Sequence, residues 1–141
     1  MQFTPYLNFD GNCAEAFAFY KELFKGTITF QSTFGEIPDG PPIPPEHHHR
    51  IMHISLTVGE QTIMGSDTMP GADVCAGGYA KPQGLWVSIG ADSVEEGRRI
   101  FDALEKGGES SMPFQETFWS PGFGSVIDRF GTPWMVNCTP P

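Results

Sequence analysis

A chain of 141 residues that is 39% hydrophobic and 13% aromatic has the material for a packed core and is not a disordered polymer. Seventeen acidic residues against eight basic ones leave a net charge of −9, which would repel a nucleic-acid backbone rather than neutralise it. Three widely spaced cysteines (13, 75 and 138) fit neither a disulfide framework nor a zinc site, no secretory leader is visible, and no run nears the ~20 apolar residues of a membrane helix; the expectation is a single-domain cytoplasmic protein without a membrane partner.

In chain order, Phe3 to Phe9 reads as a first strand, with Pro5 tolerable near its start. Asn12 fits an N-cap and Glu15 the third helical position, a capping-box pattern. Ala16, Phe17, Tyr20, Leu23 and Phe24 follow at helical spacing, and Gly26 stops the helix. Ile28 to Phe34 reads as a second strand, with Ile28, Phe30 and Phe34 on one parity. Residues 35–50 hold five prolines, two glycines and the triplet His47, His48 and His49, so they form a loop excursion. Ile51 to Val58 and Thr62 to Gly65 make a third and a fourth strand around the Gly59–Glu60 turn. A polar, glycine-rich link over about 67–82 then leads into the second half.

The second half repeats the first. A strand at Leu85 to Ala91 precedes a helix that is capped by Ser93, presents Val94, Ile100, Phe101 and Leu104 on one side, and ends at Gly107 and Gly108. Strands follow at 109–114, 124–128 and 133–138. Landmarks recur at a fixed offset: 93−12, 96−15, 101−20, 104−23 and 107−26 all give 81. At the last strands the offset falls to 71, from 134−63 and 135−64, because the second copy lacks the Pro/His excursion. Each copy, about 1–66 and about 83–141, is one strand–helix–strand–strand–strand unit. The expected fold is α+β, with tandem βαβββ repeats and a pseudo-symmetric cleft between the copies.

Several segments carry a family resemblance: Pro5 to Asn12, Ala16 to Tyr20, Ile51 to Leu56, Met64 to Asp67, and Asp128 to Cys138. Together they resemble the PhnB-like subgroup of the vicinal oxygen chelate superfamily, which includes glyoxalase I, extradiol dioxygenases and the bleomycin- and fosfomycin-resistance proteins. The resemblance covers nearly the whole chain. It implies two cupped mixed sheets with helices outside, a small-molecule ligand in the cleft between the repeats, and commonly a homodimer. The subgroup is sometimes labelled a demethylubiquinone methyltransferase, yet the Gly-rich turn and downstream acidic residue of a usual nucleotide-type cofactor site are missing from the sequence.

The resemblance also implies a divalent metal held by His, Gln or Glu on the first and last strands of each repeat. Matched to that pattern, the second copy would place a ligand at Trp86, which the 81-residue offset carries to Pro5, and the last-strand pair falls at Met135 and Met64. A carbon-rich quartet of this kind does not bind a hard cation, so no metal centre is expected. A one-residue slip, with Leu7 and Phe9 against the helix, would turn Thr4, Tyr6 and Asn8 inward instead. All four histidines lie within 47–53, so a divalent metal held there by non-standard ligands stays open as an alternative.

On the third strand Met52, Ile54, Leu56 and Val58 share the helix-facing parity, which turns Ile51, His53, Ser55 and Thr57 to the other face. His53 is there either a hydrogen-bonded sheet residue or the group that grips or protonates a ligand, and it is the candidate catalytic residue. The candidate ligand-binding residues are Asn8, His53, Ser55, Trp86, Ser88, Ser125, Trp134 and Met135. Trp119 and Phe123 could join the tryptophans in an aromatic floor. Asp67 and Asp128 read as turn-stabilising acids. Two functions remain: a binding module with an aromatic cleft and no metal, or a lyase, isomerase or dioxygenase-type enzyme.

Overall fold

The computed structural model describes residues 1–37, 43–70 and 78–140. The chain forms two compact units, Met1–Ala80 and Lys81–Pro141. In the first, β1 (Tyr6–Phe9), α1 (Cys13–Phe24), β2 (Thr27–Thr33), β3 (Ile51–Val58) and β4 (Gln61–Asp67) build a four-stranded sheet ordered β1-β4-β3-β2. In the second, β5 (Val87–Ala91), α2 (Val94–Glu105), β6 (Glu109–Gln115), β7 (Phe123–Ile127) and β8 (Pro133–Cys138) build a sheet ordered β5-β8-β7-β6. β1 pairs with β4 and β5 with β8 in parallel, and the remaining pairs are antiparallel. This is the α+β fold with tandem βαβββ repeats that the sequence predicts.

Each helix is held on one face of its own sheet. In the first unit Ala16, Phe17, Tyr20 and Leu23 of α1 are buried, as are Leu7, Phe9, Ile54 and Leu56 of the sheet. Gly65 makes the contact possible, since a Cβ there would lie 2.7 Å from the Phe17 ring. In the second unit Ile100, Phe101 and Leu104 of α2 are buried, with Val126, Trp134, Val136 and Cys138 beneath them. Val94, expected on the packed side of α2, is largely exposed at the first turn.

The two copies differ at the strand-to-helix turn. Register pairs Tyr6, Leu7 and Phe9 with Met64, Gly65 and Asp67, and it pairs Ser88, Ile89 and Ala91 with Met135, Val136 and Cys138. The differences 88−6, 89−7 and 91−9 are therefore 82, whereas the helices stay 81 apart. The first copy holds one extra residue before α1, and Gly11 in that turn takes φ +95°, where a side chain would be strained. This corrects the predicted capping box. Asn12 makes no side-chain cap, and the carboxylate of Asp67 takes its place by accepting from the Gly11 N–H (2.7 Å) and the Cys13 N–H (3.1 Å). Ser93 does cap α2, accepting from the Glu96 N–H at 3.1 Å.

Other boundaries shift modestly. Lys25, at φ 57°, takes the left-handed position that ends α1, one residue before Gly26. The excursion carries 3₁₀ turns at Phe34–Glu36 and Pro45–His47, while its residues 38–42 lie outside the described residues. Among the described residues no helix is long and apolar enough to cross a membrane.

Candidate functional site

In both units the sheet face away from the helix carries polar and aromatic side chains, and the first unit gathers the more reactive set. Alternation along β1 buries Leu7 and Phe9 under α1 and turns Tyr6 and Asn8 to the open face. Tyr6 pairs with Met64, Met64 with Ser55, and Ser55 with Phe30, so these four side chains form one row across the sheet. His53 lies one pleat along and pairs with Ser32.

The predicted parity of β2 fails for a definable reason. A bulge between Ile28 and Phe30 sets Ile28 opposite Leu56 but Phe30 opposite Ser55. The two side chains therefore fall on opposite faces, and Phe30 joins the open one, 51% exposed. A second irregularity before Thr33 interrupts the strict alternation expected at the start of β3, where Ile51 is buried rather than open.

His53 is the centre of the cluster. The Tyr6 hydroxyl reaches over β4 to within 3.0 Å of His53 Nδ1, and the Ser55 hydroxyl lies 3.3 Å from Nε2. With the ring proton on Nε2, Tyr6 donates to Nδ1 and Nε2–H donates to Ser55; the other tautomer reverses both directions. Tyr6 stacks on the imidazole at 5.6 Å between centroids, and Phe30 lies 5.7 Å from it. Beside them Ser66 donates to Asn8 Oδ1 at 3.3 Å, which orients the amide and leaves its N–H groups for another acceptor. The Ser32 hydroxyl oxygen is buried without a hydrogen-bond partner.

Asn8, His53 and Ser55 are thus brought together as the sequence predicts. Tyr6, Phe30, Ser32 and Ser66 complete the cluster and are absent from the predicted site. Tyr6 was within reach of pattern reasoning, since it alternates with two buried residues. Phe30 was not, because a bulge leaves no mark in residue parity.

In the second unit Ser88, Met135 and Ser125 lie side by side across β5, β8 and β7 on the open face. Trp134 does not join them. It alternates with Met135, faces α2, is fully buried, and its indole N–H donates to Asp128 Oδ2 at 2.8 Å. Its assignment to a ligand site is therefore corrected, and the expected aromatic floor is not assembled. Trp119 stacks edge-on against Phe123 at 5.2 Å instead, and Trp86 is exposed one residue before β5. Asp128 is the turn-stabilising acid expected, accepting from the Phe130 and Thr132 N–H groups. Asp67 is not a turn residue: it ends β4, is buried, and also accepts from the Ile51 N–H at 2.8 Å.

The 82-residue strand offset also moves the positions where related enzymes hold a metal. Pro5 and Trp86 precede their strands, so the open-face partners of Met64 and Met135 are Tyr6 and Ser88. Neither the phenol and thioether of the first unit nor the alcohol and thioether of the second suit a hard divalent ion, which takes carboxylate, imidazole or water. His48 is turned to the Ile43 carbonyl at 2.8 Å, and His47 lies 4.0 Å from Glu46. Among the described residues no three His, Cys, Asp or Glu side chains could hold a metal ion together.

The doubled βαβββ architecture defines the glyoxalase/bleomycin-resistance class of folds, and comparison agrees. A fosfomycin resistance protein, FosX from Listeria monocytogenes, shares it at TM-score 0.63 over 97% of this chain and 90% of its own, with 9% identity. Residues 1–137 match the family model described as 3-demethylubiquinone-9 3-methyltransferase, and the chain belongs to this PhnB-like family. It is 37% identical to Protein YjdN of Escherichia coli (strain K12), over 97% of this chain and 95% of that protein. It is 40% identical to protein PA1353 of Pseudomonas aeruginosa, whose crystal structure superposes at TM-score 0.86 over 98% and 97% of the two chains. A Bacillus cereus PhnB protein, described as a putative methyltransferase of the same name, matches at TM-score 0.77 and 23% identity, over 99% of this chain and all of that one.

Proposed function

We propose that the chain binds a small organic molecule on the open face of its first sheet, without the metal centre used by related enzymes. The observation that carries this reading is the pair of half-exposed rings, Tyr6 (48%) and Phe30 (51%), flanking the hydrogen-bonded His53. Exposed aromatic surface beside oriented polar groups is the usual make-up of a small-molecule site. The topology lends the family's methyltransferase description no support: both sheets are mixed and four-stranded, and the described residues hold no doubly wound parallel sheet to supply a nucleotide-type cofactor turn.

A melting-shift screen with small aromatic compounds tests the reading. Hits should stabilise the wild type and leave a Tyr6→Ala/Phe30→Ala variant unmoved. Equal shifts in both proteins would remove the first sheet's open face from consideration.

A second reading, an enzyme of the lyase, isomerase or dioxygenase type, is favoured by one observation. Both ring nitrogens of His53 are engaged by hydroxyls, the arrangement a proton-transfer group needs. Turnover lost in His53→Gln with ligand affinity retained would favour it over pure binding. The proposal extends to a cytoplasmic homodimer that meets neither nucleic acid nor membrane. Its support is the net charge of −9, the buried free thiols of Cys13 and Cys138, and the exposed rings of Phe118 and Trp119, which a second copy could cover. Light scattering at twice the chain mass is the expected result.

A further inference from the structure

We infer that the ligand of the first sheet is a flat ring carrying an acidic hydroxyl, and that it is held as the anion after passing its proton through Tyr6 to His53. This rests on the binding proposal above and narrows it to a chemical class. Two half-exposed rings favour a planar partner. The polar groups around them favour an oxygen acid. With the proton on Nε2, Tyr6 gives its hydroxyl hydrogen to His53 Nδ1, so its oxygen presents a lone pair to an incoming O–H donor.

The transfer balances without a co-reactant. The ligand O–H bond breaks and its proton goes to Tyr6 Oη, while the Tyr6 proton moves to Nδ1. Nε2–H keeps its bond to Ser55, and an anion faces an imidazolium. The Asn8 amide, oriented by Ser66, supplies further donors for the anion.

Charge decides between an acid and an amine as the ligand. On the open face β1 contributes Tyr6 as its ionisable group, β3 contributes His53, and β2 and β4 contribute none. A bound ammonium would meet no carboxylate among the described residues of these four strands, whereas a bound anion meets the imidazolium that its own proton creates.

The probe is 4-nitrophenol, whose anion absorbs in the visible while its neutral form does not, with nitrobenzene as the control that lacks an acidic hydroxyl. In a buffer where most free probe is protonated, bound 4-nitrophenol should show an anion-to-neutral ratio about tenfold above the free probe, the equivalent of one pKa unit. His53→Gln and Tyr6→Phe, each checked for fold by circular dichroism, should bind both probes and return the ratio to that of the free probe. A wild-type ratio equal to that of free probe, or a raised ratio surviving in either folded variant, overturns the inference. If nitrobenzene binds the wild type and 4-nitrophenol binds as the neutral form, the proton transfer is wrong and the binding site stands. If neither probe binds, the site and the inference fall together.

Discussion

Asp67, the last residue of β4, accepts a hydrogen bond from the backbone of Cys13, the first residue of α1, 54 positions earlier in the chain. The same carboxylate takes the Gly11 and Ile51 N–H groups, so one buried acid joins the helix start to the beginning of β3 and the end of β4. In the second copy the equivalent position is Cys138, and Ser93 does the capping.

Removing that carboxylate leaves three backbone donors without partners. Asp67→Ala should cost at least about 3 kcal/mol of unfolding free energy, read from urea denaturation, since unsatisfied buried groups cost about 1–3 kcal/mol each. Asp67→Asn keeps one acceptor oxygen and should lose less. A cost below 1 kcal/mol for the alanine variant, on the order of one ordinary hydrogen bond, would contradict the joint role.

Trp134 belongs to the packing under α2. Trp134→Phe removes the indole donor to Asp128 and should destabilise the protein by about 2 kcal/mol, the range for a hydrogen bond to a charged group. Aromatic hits from the melting screen should bind this variant as they bind the wild type. A selective loss of binding would return Trp134 to the ligand site.

Burial raises the thiol pKa of both Cys13 and Cys138, and for Cys13 the charge of Asp67 adds to the effect. A raised folded-state value means the folded form holds its protons to higher pH than the unfolded chain. The associated stability is complete below the free-thiol value of about 8.5 and drains away as pH rises above it. Unfolding free energy should therefore fall between pH 8.5 and pH 10.5, a span of roughly two units above that free-thiol value, and Cys13→Ala should flatten the slope. At pH 8, below the free-thiol value of about 8.5, both thiols should resist iodoacetamide until the chain is unfolded, as peptide mapping would reveal.

Neither the Tyr6–Met64 pair nor the Ser88–Met135 pair offers the carboxylate or imidazole donors that a hard divalent ion takes, and none should be bound at either. Elemental analysis of untagged protein should find well under one ion per chain. About one ion per chain, lost in His53→Ala, would put a metal on the imidazole and replace the metal-free proposal.

Element order, both helices and the repeat were legible because they rest on spacing. Buried positions such as Phe17, Tyr20 and Leu23, or Phe101 and Leu104, recur every three or four residues whatever the tertiary context. The site was half legible. Alternation placed His53 and Ser55 on the open face and offered Tyr6 as an alternative, and the register selects that alternative. What escaped was whatever depends on one inserted residue. The bulge before Phe30 reverses a face, and the extra residue before α1 shifts β1 by one against the 81-residue offset, so the helix spacing misplaces β1 relative to the register that pairs Tyr6 with Met64. Trp134 was misplaced for a different reason: aromatic character says nothing about which face a strand residue takes.

The different caps of α1 and α2 have a consequence for the order of folding. Ser93 lies in the same turn as the helix it caps, so α2 can start as soon as its own residues are made. α1 begins with no cap of its own, and must wait for Asp67 to be synthesised and for β4 to arrive beside β1, a closure of 54 residues. Although α1 leaves the ribosome first, it should consolidate last, and mutational effects on the folding rate should be large at Ser93 and small at Asp67. Two units of one topology, read in sequence from one end, would then assemble in the opposite order.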